Sequence, residues 1–215
     1  GVSWRILVPD FVAAGAQVAA GQVPVLTQVG TSVRRWAHAL AEEAGKPGRR
    51  AESESWRAIL EGPDPVLGTR PFDPAVDTLA TVRGMQVQIA PDVTDALLRG
   101  VPAAFHGGVN DGLLAALALA VARWRAERGV VEPSVLVQLE GHGREEAVVP
   151  GSDLSRTVGW FTTVFPARLD LAGVDVDDAF AAGTAAGAAV KAVKEQLLAI
   201  PDKGIGYGLL RDLNP

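Results

Sequence analysis

Glu140-Gly141-His142-Gly143-Arg144-Glu145, followed closely by Arg156-Thr157-Val158-Gly159-Trp160-Phe161-Thr162-Thr163, is the stretch on which the reading of this chain turns. The first piece places two carboxylates, an imidazole and a guanidinium within six residues, with two glycines between them. The second is apolar and β-favouring, with Arg156 at its head and a Trp-Phe pair in its middle. Ahead of the first piece, Val135, Val137 and Leu139 alternate with Leu136, Gln138 and Glu140, which is the period of a strand. The pattern predicts a strand over 134–140 that runs into a polar turn, and a second strand over 157–169 able to lie beside it.

Glu140 stands at the end of the first strand pattern. A carboxylate at a strand end facing a cleft can be partly desolvated, which raises its pKa and suits it to general acid or base work. A solvated strand-end glutamate has the same pattern, and the flanking glycines weigh against that plainer reading. Glycine permits a sharp turn and a close approach to substrate. By residue type His142 is a general-base candidate. A histidine between two glycines is equally a hydrogen-bonding support of its loop, and both readings stand at this point. Arg144 reads as a brace for a carboxylate, Glu140 or Glu145. Trp160 lies inside the second piece and is placed to wall a substrate channel.

Working outward, residues 1–20 read as a helix with Trp4, Leu7 and Phe11 on one face. Ser32 caps a helix to about Ala44, with Val33, Trp36 and Leu40 on its apolar side. A shorter helix runs from about Ala51 to Leu60. Residues 62–77 carry Gly62, Pro63, Pro65, Gly68, Pro71 and Pro74 and form a connection. Thr78 to Ile89 reads as a strand, and Pro91 opens a short helix to Leu98. Gly108 to Arg128 is the clearest helix, with Val109, Leu113, Leu117, Val121 and Trp124 as its apolar stripe and Asn110 and Asp111 as capping residues at its start. Asp175, with Asp178 three residues on, starts a helix to about Ile200. Pro201 ends it, and Gly204 to Gly208 follows as a turn. Helices alternating with a few strands give an α/β layered domain with one mixed sheet.

The 215 residues carry a formal charge of −5, from 20 basic and 25 acidic side chains, and no cysteine. A chain this long buries roughly 70% of its unfolded surface without staples. The lack of cysteine removes disulfides, thiolate zinc sites and a thiol nucleophile. Nothing marks a basic nucleic-acid surface, and no apolar run has the length of a membrane span. His38, His106 and His142 lie far apart in sequence, so no metal site is expected. Asp153, Ser155 and His142 lack a nucleophile elbow. Gly204-Ile205-Gly206-Tyr207-Gly208 follows a helix rather than a strand and is no dinucleotide loop. The opening Gly1-Val2-Ser3-Trp4-Arg5-Ile6-Leu7 reads as the middle of a longer protein.

Five ordered segments resemble the epimerization domains of nonribosomal peptide synthetases, members of the condensation superfamily. Glu140 to Glu145 and Arg156 to Thr163 are the most specific. Gly1 to Leu7 is similar to the residues after the family's His-His-x-x-x-Asp motif. Val109-Asn110-Asp111-Gly112-Leu113-Leu114 is similar to its Val-Asn-Asp-x-Leu-Leu helix start, and Pro201 to Arg211 to a further segment. Residues 14–74 match weakly, and Phe105 to Gly108 depart from the pattern.

The resemblance implies a chloramphenicol-acetyltransferase-like α/β fold present in part. Residues 1–74 would be the end of an N-terminal lobe and the inter-lobe connection, and 75–215 part of a C-terminal lobe, with a mixed sheet flanked by helices. It implies interconversion of L and D configuration at Cα of an aminoacyl or peptidyl thioester. The substrate would ride on the phosphopantetheine arm of a partner peptidyl carrier protein, with no cofactor bound directly, no nucleic acid, no membrane and a cytoplasmic setting. Glu140 would be the catalytic acid/base, with His142, Arg144, Glu145, Trp160 and Tyr207 as candidate supports. The family's paired histidines precede Gly1, so this stretch alone is expected to be inactive without the missing halves of its domain. A condensation domain forming peptide bonds, and a non-catalytic module that docks a carrier protein, are the alternatives.

Overall fold

The computed structural model describes residues 1–214. In chain order the helices are α1 (Val2–Ala19), α2 (Val33–Ala44), α3 (Pro47–Ala51) and α4 (Ser53–Leu60). A helical run follows, with α5 (Pro91–Asp95), a π-helical turn at Ala96–Gly100 and α6 (Val101–Phe105); next comes α7 (Val109–Ala126). Strands β1 (Ser134–Gly141) and β2 (Thr163–Asp170) precede α8 (Val176–Phe180), α9 (Thr184–Leu198) and α10 (Ile205–Gly208). The two strands form a small antiparallel sheet among the described residues, rather than the mixed sheet expected. Gly141 of β1 abuts Thr163 of β2, while at the other end the Leu171 N–H donates to the Pro133 carbonyl at 3.1 Å.

The chain divides into two compact units, neither continuous in sequence. One comprises residues 1–58, 138–166 and, among the described residues, 201–214. Its core joins Trp36 to Val148, Leu154 and Ile205, with Leu40, Val149 and Phe161 packed against them. The Ser32 hydroxyl accepts from the Arg35 N–H at 3.2 Å, the cap its position predicts. On α1 only Ile6 is buried. The stripe read from Trp4, Leu7 and Phe11 is not a core face within this unit, and Phe11 is 70% exposed.

The other unit comprises residues 59–137 and 167–200. Its core is built from Ala115, Ala118 and Val121 of α7, Ala189 and Val193 of α9, and Val135, Leu169 and Leu171. This corrects the stripe expected on α7, of which Val121 is in the core. Leu113, Leu117 and Trp124 are exposed, and the small-residue face that includes Gly112 is the buried one. Alanine and glycine let two helices approach closely, so the face with the least apolar bulk per residue makes the tightest contact. Arg125, also buried, bonds the Ser134 and Pro65 carbonyls and the Asp64 carboxylate, which ties the 62–77 connection down.

Three further expectations change. Thr78 to Ile89 is not a strand: a 3-10 turn at Leu79–Thr81 leads into irregular chain that pairs with no strand among the described residues. Its side chains stay in solvent, Met85 being 90% exposed. The single helix expected over 175–200 is two, because Ala182 takes a left-handed φ of 58°. Asp175 caps the first, accepting from the Asp178 N–H at 3.0 Å, and Asp178 caps the second, accepting from the Ala185 N–H at 2.9 Å. Residues 204–208, expected as a turn, form the last residue of a 3-10 turn and the short helix α10. No single helix among the described residues is long and apolar enough to cross a membrane.

The small-residue face generates a test. Ala189→Leu is expected to lower stability by about 1–3 kcal/mol through overpacking. Leu117→Ala, on the open face, should change it by less than about 0.5 kcal/mol. Urea unfolding of both variants checks the assignment.

Candidate active site

β1 delivers Glu140 and Gly141 to a turn whose conformation only glycine accepts. Gly143 has a φ of 67°, and a Cβ there would lie 1.5 Å from the Phe161 carbonyl oxygen. The turn therefore lies flat against the second motif. Arg144 then reaches under that segment. Its guanidinium donates to the Leu154 carbonyl and, at 2.7 Å, to the Thr157 carbonyl, and sits 4.2 Å from the centre of the Phe161 ring. Burial pushes its pKa below the ordinary arginine value, with nearby Glu146 opposing. The expectation that Arg144 braces Glu140 or Glu145 is not met: main-chain carbonyls and a ring face hold it.

Those contacts also explain why 157–162 is not strand and why β2 begins only at Thr163, later than the expected start at Thr157. Thr157 N–H donates to Leu154, its hydroxyl donates to the Thr31 carbonyl at 2.6 Å, and Gly159 N–H donates to the Ser3 hydroxyl at 3.2 Å. Its backbone and hydroxyl groups are engaged by turns and side chains instead of a ladder.

His142 is exposed but committed. Its Nδ1 accepts from the Arg144 N–H at 3.0 Å, which assigns the proton to Nε2. Nε2 lies 3.4 Å from Glu145 Oε1, and Glu145 Oε2 lies 3.1 Å from Lys203 Nζ. The arrangement is that of a loop support. Glu140 differs from its neighbours. It is exposed, not desolvated as its position suggested, and has no hydrogen-bond or ion-pair partner among the described residues.

Two clefts flank the second motif within this unit. One, of about 600 Å³, is lined by Ser3, Trp4 and Leu7 of α1 with His142, Arg144 and Trp160. The other, of about 390 Å³, includes Trp36, Leu40, Gly143, Phe161 and Leu209. Trp160, 91% exposed, lines both, whereas Glu140 and Tyr207 line neither. Tyr207 packs edge-on to Trp56, ring centres 5.4 Å apart, and Arg211 lies over its ring.

Sequence reasoning missed the side chains that anchor this arrangement. The Ser3 hydroxyl donates back to the Gly159 carbonyl at 3.0 Å, and Arg156 donates to both oxygens of Asp10 at 2.6 and 2.8 Å. Buried Arg49 meets Glu43, Glu52 and Asp202 at 3.2, 2.6 and 2.6 Å. The available signal was that Ser3, Arg156, Asp202 and Lys203 stand inside resembled segments, whereas Asp10 and Arg49 do not. Asp111 does cap its helix, accepting from the Gly108 N–H at 2.7 Å. No cluster of metal-ligating side chains occurs among the described residues.

With this geometry in view, comparison with known proteins is decisive on family. The Condensation domain model matches residues 1–215, and the chain belongs to that family. It is 43% identical over 218 residues to chondramide synthase cmdD of Chondromyces crocatus, covering 98% of this chain and 5% of that protein. It is 33% identical over 211 residues to tyrocidine synthase 1 of Brevibacillus parabrevis, covering 98% of this chain and 18% of that protein. Among solved structures, the epimerization domain from the third module of tyrocidine synthetase B matches with a TM-score of 0.80 and 34% identity, over 100% of this chain and 45% of that one. The chain thus spans a small part of these synthetases and under half of that domain. The expected condensation-domain-like fold is observed.

Gly143→Ala tests the turn. The added methyl meets a backbone carbonyl and the φ is left-handed, so a loss of at least about 2 kcal/mol is expected. Thermal and urea unfolding measure it.

Proposed function

We propose that this chain is part of a nonribosomal peptide synthetase epimerization domain. The reaction would interconvert L and D configuration at Cα of an aminoacyl or peptidyl group held as a thioester on a carrier protein's phosphopantetheine. The thioester acidifies the α-proton; a base removes it and an acid returns a proton to the opposite face. Glu140 is the residue proposed to exchange that proton.

One observation carries the assignment: every other ionisable group of the 140–145 motif is engaged. His142 is engaged through Nδ1 by the Arg144 N–H and faces Glu145 through Nε2. Arg144 holds two carbonyls, and Glu145 lies between His142 and Lys203. Glu140 alone is exposed and unpartnered among the described residues, at the end of a strand that fixes its backbone. A carboxylate in open water is a weak base toward carbon. On this reading, substrate binding strips water from Glu140 and raises its basicity. The likeness to a solved epimerization domain supports epimerization as the reaction, without bearing on Glu140.

The test uses the synthetase that carries this chain. Glu140→Gln should cut solvent-deuterium incorporation at Cα, and slow the approach to the D/L equilibrium, by about 10²-fold or more. His142→Gln should cost less than about tenfold. Unchanged deuterium incorporation in Glu140→Gln removes Glu140 from the mechanism. A domain of the same family that forms peptide bonds would show no α-proton exchange even before mutation.

A further inference from the structure

We infer that Ser3 and Asp10 are positioning residues of the candidate site: they hold α1 as a wall of the larger cleft, of about 600 Å³, and so set how tightly a carrier-bound thioester is gripped there. The choice of substrate rests on the epimerase reading; the attachment of α1 does not.

A surface helix is ordinarily held by an apolar stripe. α1 is attached differently. Across its 18 residues Ile6 alone is buried, while Trp4, Val8, Phe11 and Val12 are exposed. Ser3, Ile6 and Asp10 recur at three- and four-residue spacing and so share one face. Ser3 exchanges two hydrogen bonds with the Gly159 backbone, donating to its carbonyl at 3.0 Å and accepting from its N–H at 3.2 Å. Both Asp10 oxygens accept from Arg156 Nη2, at 2.6 and 2.8 Å. The attachment is therefore one apolar side chain between two polar fasteners. Each half of the helix needs its own. Pro9 lacks the N–H that would donate to the Arg5 carbonyl, so a backbone rung is missing between Ser3 and Asp10.

The segment that the fasteners grip is itself fixed. The Thr157 hydroxyl donates to the Thr31 carbonyl at 2.6 Å, Arg144 donates to the Leu154 and Thr157 carbonyls, and Gly159 is seated where a Cβ would lie 2.7 Å from Val33. What they hold against it is a wall of the cleft. Trp4 and Leu7, between Ser3 and Asp10 on α1, line it together with His142, Arg144 and Trp160. Asp10 and Arg156 line neither cleft, so their effect on a ligand passes through the helix. Arg156 Nε is buried with no partner among the described residues, and loss of Asp10 leaves that part-buried guanidinium uncompensated. An apolar wall touches substrate equally in the ground and transition states, and interactions of that kind appear in KM rather than kcat. Glu140, proposed to exchange the proton, lines neither cleft. Displacing α1 thus weakens binding and spares the proton exchange.

The test has two readouts. The first is fluorine NMR of the full chain labelled with 5-fluorotryptophan, the Trp4 signal being assigned by Trp4→Phe. Ser3→Ala and Asp10→Ala should each move that signal by more than its linewidth and leave those of buried Trp36 and Trp56 in place. Asp10→Glu, which keeps the carboxylate, should return it toward the wild type. The second readout is turnover by the synthetase that carries this chain. Asp10→Ala should raise KM for the carrier-bound thioester about fivefold and leave kcat within about twofold, whichever reaction is run on that thioester. A Trp4 signal unmoved in both variants overturns the proposal, as does an unchanged KM. Movement of Trp36 and Trp56 along with Trp4 does so too, because the loosening is then general. A shifted Trp4 signal and a raised KM in a synthetase that exchanges no α-proton keep this inference and sink the epimerase reading.

Discussion

The contact on which the motif region depends is the Arg144 guanidinium under the second motif. It satisfies two main-chain carbonyls, Leu154 and Thr157, and covers the face of Phe161. A charged donor is worth more to a carbonyl than a neutral one, and burial raises the cost of leaving any of these groups unpaired. With Gly143 seated against the Phe161 carbonyl, the contact fastens the turn after β1 to the segment before β2. Residues 157–162 are thereby drawn out of the sheet into a loop. That loop carries Trp160 and Phe161 to where two clefts share them as a wall.

The same device recurs. Arg125 holds the Ser134 and Pro65 carbonyls and Asp64, and Arg49 holds three carboxylates. In each case one planar, always-charged fork collects acceptors from segments distant in sequence. Such groups add less net stability than their contacts suggest, because desolvation offsets attraction. Removing one partner leaves buried groups uncompensated, which is where the cost lies. Their contribution is to specify arrangement: Arg125 sets where the proline-rich connection lies, and Arg49 sets where the turn at Asp202 lies.

Much of the fold was legible because local chemistry decides it. Ser32, Asp175 and Asp111 cap helices where their positions predict, and the alternation before Glu140 marks β1. The failures share one cause, the dependence of an element on a neighbour. Thr78 to Ile89 has strand composition but no strand beside it among the described residues. Residues 157–162 have it too, but their polar groups are taken by Ser3, Thr31 and Arg144. On α7 the larger side chains drew attention to one face, while the alanines of another made the close contact with α9. Asp178 was placed three residues after a cap, and its carboxylate caps the next helix. In the site, the motif residues stood out in sequence, whereas Asp10, Arg49 and Lys203 hold the surrounding arrangement from far along the chain. Asp10 stands 146 residues from the Arg156 it holds, and nothing in the neighbourhoods of Asp10 and Arg49 marks them.

On the proposed reading Glu140 exchanges the proton, although residue type alone would favour His142. Histidine titrates near neutrality and is the natural first candidate for a base. Its position one residue before Gly143 removes that freedom. The left-handed turn brings the Arg144 amide within 3.0 Å of Nδ1, and Nε2 is left facing Glu145. Nδ1 is thus held as an acceptor by the backbone of the turn that lays the motif against Phe161. The glutamate at the strand end carries no such linkage. The glycines that admit a close approach thus do more than make room: they commit the histidine to structure and leave the carboxylate free.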